Sequence, residues 1–200
     1  MKTYEAVYMP QNQICWEKVE AAQIDNCQGT PVPHIKAWAK VCWNEEGLHV
    51  RLQAVEKNIL CRFDGDTDPI CEDSCLEFFV SPDADGRYFN LESNPNGALY
   101  FGFGYNRYQH LRLLNDELRQ LLNIRPFRTE DGWGVEATIP LKVMQIFSPD
   151  ICLAPGKVMT ANFYKCGDAT VIPHYLTWSR VEVADIDFHL PEFFGKLILK

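Results

Sequence analysis

The chain has 200 residues, with 19 Lys and Arg against 27 Asp and Glu, a formal net charge of −8 and a hydrophobic share of 46%. That acidic balance excludes a nucleic-acid binder, which needs clustered Lys and Arg to neutralise phosphates, and it disfavours an anionic membrane surface. The apolar share supports one substantial core, no run of about 18 apolar residues is present to span a bilayer, and no linker-like stretch divides the chain, so one domain over residues 1–200 is expected.

In chain order, "MKTYEAVYMPQNQICWEK" lacks a long apolar segment ahead of a small-residue cleavage site, which predicts a cytosolic chain, or an extracellular one if a signal has been removed. "AWAKVCW" alternates Ala37, Ala39, Val41 and Trp43 against Trp38, Lys40 and Cys42, and after the turn "NEEG" the segment "LHVRLQAV" repeats that alternation; the pair reads as a hairpin. "SCLEFFV", a turn at "SPDADG" and "RYFNLES" give a second hairpin, and "NPNG" leads into "ALYFGFGY". "NDELRQLLNI" is the best helical turn, with Asn115 as N-cap, and Pro140 opens a second short helix at "LKVMQIF". Between them "NIRPFRTEDGWGVEATIP" forms a hairpin, and "VMTANFYKC", "HYLTWSR" and "GKLILK" close the chain as strands. Roughly nine or ten short strands with one or two short helices predict an all-β, antiparallel sandwich of jelly-roll type.

Eight cysteines in a chain of this kind read as free thiols rather than four disulfides. Only Cys71 and Cys75 are close in sequence, and with no partner Cys/His pair nearby their spacing gives little support to zinc.

"CEDSCLEFFVSPDADGRYFNLESN" places one glutamate in each of two strands, Glu77 and Glu92. Side chains alternate along a strand, so Leu76, Phe78 and Val80 face the core and Cys75, Glu77 and Phe79 face away. In the next strand Phe89 and Leu91 face the core while Tyr88, Asn90, Glu92 and Asn94 share the other face. Such a polar face is either the wet side of a sheet or a surface for hydroxyl-rich ligands, because carboxylates and amides accept from and donate to hydroxyls while aromatic rings cover C–H patches.

The segments "CWNEEGLHVRLQAVE", "EDSCLEFFVSP", "YFNLESNPNGALYFGFG", "GWGVEATIPL" and "WSRVEVADIDFHLPEFFGKLIL" resemble the family 9 carbohydrate-binding modules, in a branch that occurs as stand-alone domains. The resemblance implies a jelly-roll sandwich that binds sugars without being an enzyme, and it implies structural calcium. It assigns ligand contacts to Asp73, Glu77, Glu92 and Asn94 and a stacking role to Trp178; His174, near Trp178, is a further contact candidate. Where binding members carry an aromatic before the acidic strand, this chain has Ile70 or Cys71. Arg62 and Arg107 are the two candidates for an arginine on the ligand, and His189 is expected to fix its turn by hydrogen bonds.

Asp64, Asp66 and Asp68 alternate as in a calcium loop, since hard cations want several oxygen ligands, although the glycine spacing is not that of an EF-hand. The expected partner is therefore a mono- or oligosaccharide bound by a monomer or weak dimer. Two other readings stand beside it: a protein–protein interaction domain that has lost the sugar site, and a small glycoside hydrolase using Glu77 and Glu92 as its carboxyl pair.

Overall fold

Alternation builds two facing sheets, and the computed structural model, which describes residues 1–200, shows how they close on each other. One sheet runs β10 (Arg125–Arg128), β11 (Gly132–Pro140), β5 (Gly47–Val55) and β4 (Lys36–Asn44), with the short β2 (Ala22–Gln23) added to β4. The other runs β14 (Gly195–Leu199), β12 (Val158–Gly167), β6 (Cys75–Ser81), β7 (Tyr88–Ser93), β8 (Leu99–Asn106) and β9 (Gln109–Arg112). β13 (His174–Thr177) pairs with β12, and β3 (Asn26–Gln28) pairs with β13.

The N-terminal strand β1 (Thr3–Tyr8) joins the two sheets. Its residues Thr3 to Ala6 pair with β14, and Val7 and Tyr8 pair with β4, in both cases parallel. The sandwich is therefore mixed, where the sequence predicts purely antiparallel pairing. β1, β2, β3 and β9 also go beyond the strands that alternation reveals. These are short, and their partners lie far away in sequence, so no local pattern announces them.

The inter-sheet core holds Leu76, Phe78 and Val80 of β6, Leu91 of β7 and Phe163 of β12 against Val41 of β4, Leu48, Val50 and Leu52 of β5 and Trp133 of β11. Helix α1 (Asp116–Leu122) starts where its N-cap predicts, the Asn115 side chain accepting from the Leu118 N–H at 2.7 Å. Helix α2 (Leu141–Phe147) follows Pro140 directly and buries Val143 and Met144. No helix is long and apolar enough to cross a membrane.

The second sheet is apolar on its outer side as well. Phe79 of β6, Tyr88 of β7 and Tyr164 of β12 are covered by Val181, Phe188 and Phe194 from the extended segment that precedes β14. Tyr164 stacks on Phe188 with ring centroids 4.2 Å apart and donates from its hydroxyl to the Phe188 carbonyl at 2.9 Å. Every residue of β6 and β7 is buried as a result. A strap of some fourteen residues, 181–194, thus turns what alternation presents as a wet face into a second packed layer.

Candidate functional site

The strap covers one end of this face completely and leaves a pocket at the other. β6 and β7 are paired so that Glu77 stands directly opposite Glu92, and side chains so placed lie side by side on one face. β12 pairs with β6 on its other edge, bringing Cys166 opposite Cys75. These strands form the floor of a pocket of about 380 Å³, within the range of small-molecule sites. Its walls come from Cys71 of the turn before β6, Asp168 and Tyr175 beside the β12–β13 connection, Arg107 at the tip of the β8–β9 hairpin, and Ile186 to His189 of the strap.

The floor is short of cations. The Glu77 carboxylate accepts from the Cys166 thiol at 3.1 Å, and Glu92 accepts from the Asn90 amide at 2.8 Å. Burial, and then the charge of Glu92, pushes the Glu77 carboxyl well above the ordinary carboxylate range. Burial likewise raises Glu92, to about 7, against the opposing hydrogen bond from Asn90. Asp168 is raised too, by burial and by nearby Glu72. Arg107, the one arginine in the wall, is paired at 3.0 Å with Asp187 on the strap. The His189 ring meets the Tyr88 hydroxyl at 2.7 Å, and its backbone N–H donates to Asp187, so it fixes the strap and lines the pocket at once.

Of the residues singled out in the sequence, Glu77 and Glu92 meet in this pocket with Cys71, Arg107 and His189, while Trp178, Asp73, Asn94, Arg62 and His174 lie elsewhere. Trp178 is 3% exposed in the inter-sheet core, 5.3 Å from the Phe163 ring and 6.5 Å from Tyr4, so it offers no face to a ligand. Its ring is so closed in that a Cβ on Gly195 would come within 2.4 Å of it. Asp73 is fully buried and accepts from the backbone N–H groups of Arg62 and Phe63, from the Arg62 guanidinium and from the Asn94 amide. Asn94 in turn donates to the Phe63 carbonyl and accepts from the N–H groups of Asn96 and Ala98. Both residues therefore brace the 62–64 loop against the β7–β8 turn, and their hydrogen-bonding capacity is spent on the fold. Arg62 goes with them, which leaves Arg107 as the arginine at the pocket.

His174 lies on the core side of the sheet. Its Nδ1 meets the Ile172 carbonyl at 2.9 Å and its Nε2 lies 2.6 Å from the Lys165 ammonium, which also meets Glu56 at 3.2 Å. Glu56 accepts further bonds from the Trp133 indole and the Ser74 hydroxyl. With the ammonium donating to Nε2, the ring is neutral, and burial and Lys165 hold its pKa down to about 4. The network satisfies buried charge.

Asp64, Asp66 and Asp68 do not gather into one cluster of metal-type donors. Asp66 takes both its contacts with a guanidinium from Arg119 of α1 and also accepts from the Leu99 N–H; Asp64 accepts from Asn96 and Asp68 from the Gly65 N–H. The three carboxylates are thus held by three different partners, Asp66 by a guanidinium. The one cluster of metal-type donors is Cys75, Glu77 and Cys166, on the pocket floor.

Sequence reasoning does not find Tyr175, Phe188, Asp168 or Asp187 as pocket residues. Tyr175 and Phe188 supply aromatic surface where the position before the acidic strand holds Cys71. The clue for Phe188 and Asp187 is the segment "DIDFHLPEFFG" itself, whose apolar residues have no strand or helix to belong to. A larger groove of about 570 Å³ lies along Trp16, His49 and Arg125. Of its two acids, Glu46 and Glu136, the second is already held by Arg51 and Arg125.

The family model for carbohydrate-binding family 9 matches residues 6–199. Among solved structures, a protein of Bacteroides uniformis, provisionally named as carbohydrate-binding, is 25% identical with a TM-score of 0.84, over 100% of this chain and 99% of that one. A family 9 carbohydrate-binding module from Caldicellulosiruptor kristjanssonii, in complex with cellotriose, is 17% identical with a TM-score of 0.70, over 100% of this chain and 94% of that one. The same module in complex with glucose gives 17% and 0.69, over 100% and 96%. No curated protein matches the chain.

Proposed function

The chain belongs to carbohydrate-binding family 9, and from that premise we propose that the pocket over Glu77 and Glu92 holds a mono- or oligosaccharide without transforming it. The observation that carries this reading is the meeting, in one pocket, of two carboxyl groups, Arg107 and the rings of Tyr175 and Phe188. Carboxyl oxygens accept from sugar hydroxyls, the guanidinium donates to them, and aromatic faces cover C–H surface. Glucose and cellotriose, bound by the Caldicellulosiruptor kristjanssonii module, are the first ligands to try. A hydrolase would need its two carboxyls pushed apart in pKa so that one is acid and the other base or nucleophile. Here burial raises both, so the shifts alone assign neither an acid nor a base.

With Cys71 where an aromatic is expected and Trp178 buried in the core, affinity is expected between about micromolar and millimolar. No tryptophan lines the pocket, so calorimetry or NMR titration is the measurement of choice. Glu92→Gln and Arg107→Ala should each weaken a responding glycan by roughly 10- to 100-fold, the loss of a hydrogen bond to a charged group. A broad glycan panel with no response, together with a protein captured through this same pocket, would replace the sugar reading with that of an interaction domain.

A further inference from the structure

The floor of the pocket carries a donor set of which sugar recognition uses only Glu77. Cys75 and Glu77 are two apart on β6 and so share a face, and Cys166 of β12 stands directly opposite Cys75. Both sulfurs and a Glu77 oxygen lie within 4.8 Å of one another, and the Cys166 sulfur is 3.1 Å from that carboxylate. Around a tetrahedral zinc ion, with Zn–S of ~2.3 Å and Zn–O of ~2.1 Å, such donors stand roughly 3.6–3.8 Å apart. The spacing found here brackets that separation, so small side-chain rotations bring all three onto one ion. All three residues are buried on rigid, paired strands, and none is tied to a basic side chain by a hydrogen bond or ion pair.

The geometry points to a binding site for a thiophilic divalent cation of the Zn²⁺ class, held by the sulfurs of Cys75 and Cys166 and the Glu77 carboxylate, with its fourth position open to the pocket. Two thiolates select zinc over calcium or magnesium, which take oxygen ligands. Three protein ligands with one open position is the pattern of zinc sites that exchange a water or a ligand oxygen. Glu77 and Cys166 themselves line the pocket, so the open position lies where a bound hydroxyl or water would sit. The site shares Glu77 with the sugar reading but does not rest on it, because its donors would hold the ion whether or not a glycan follows.

The test uses the full chain in a phosphine-reduced buffer, loaded with Zn²⁺ and, in parallel, with Co²⁺ as a spectroscopic stand-in. The expected result is one retained zinc per chain after dialysis, and a thiolate-to-cobalt charge-transfer band that zinc abolishes on addition. Cys75→Ser and Cys166→Ser should each lose one thiolate's share of the band, and Glu77→Gln should weaken zinc retention while keeping the band. Cys27→Ser and Cys152→Ser, at exposed thiols away from the site, should change neither. The wild-type spectrum needs no variant to fold, which keeps the test decisive. A reduced wild-type chain that retains no zinc and shows no band would overturn the proposal, as would a band that follows Cys27 and Cys152 instead. Sugar titration is read separately by calorimetry, so failure of one reading leaves the other standing.

Discussion

Trp178 and Asp73 show how the same residue types serve packing or recognition according to what surrounds them. The Trp178 ring is enclosed by Tyr4 and Phe163, so Trp178→Ala should cost about 3–5 kcal/mol, read as a large fall in thermal midpoint. Trp178→Phe should recover much of that loss and leave the glycan response of the pocket intact; a response abolished in a stably folded Trp178→Phe would contradict the core placement. Asp73 is equally structural. Replacing it by Ala strands the N–H groups of Arg62 and Phe63, and each buried orphan costs about 1–3 kcal/mol. Hydrogen exchange should find the 62–64 loop opened in this variant, and a protected loop would refute the brace.

At the scale of elements, the strap over residues 181–194 decides the character of the second sheet. It has no regular structure beyond one turn at Pro191–Phe193, so it is held by side chains: Phe188 on Tyr164, Phe194 against Tyr88 at 5.4 Å, and Arg107 on Asp187. Phe188→Ala removes a stacked ring from both the packing and the pocket wall. The expected cost is about 3–5 kcal/mol, with hydrogen-exchange protection lost along β6, β7 and β12 before it is lost in the β4–β5 hairpin. Ligand affinity should fall in parallel, because Asp187, His189 and Arg107 lose their common anchor. Uniform loss of protection across both sheets would show that the strap is not a separate layer.

For the whole molecule, the buried histidines set how stability responds to acid. Burial lowers His110, His174 and His189 each to about 4. An unfolded chain therefore takes up their protons first as pH falls through about 6.5, and the native state loses stability down to about pH 4. Glu77 and Glu92, raised by burial, act in the opposite sense, losing stability as pH rises through their folded pKa. Comparison at a single site separates the two trends. His174 faces Lys165 and Glu56, with His34 nearby, and His174→Gln should be less stable than the parent at neutral pH by losing that network. Its deficit should narrow between about pH 6.5 and 4, because only the parent meets the cost of keeping an imidazole neutral. A deficit constant with pH, measured by urea unfolding, would rule this out.

Local pattern by itself determined the strands β4 to β8 and β10 to β14, the start of α1 at Asn115 and the side of the sheet on which Glu77 and Glu92 lie. Those features follow from a period of two or from a cap, both carried by neighbours in the chain. The family resemblance left Arg62 and Arg107 as the candidates for an arginine on the ligand. Only the tertiary structure put Arg107 at the pocket, moved Trp178 into the core and His174 to the opposite face, and tied Asp66 to Arg119. It alone brought Cys166 across from Cys75, a pairing 91 positions apart in the numbering of the chain, and laid the strap over the outer face. The physical reason is the same in each case: alternation reports which side of a strand a residue occupies, whereas what covers that side depends on segments whose contacts are long-range.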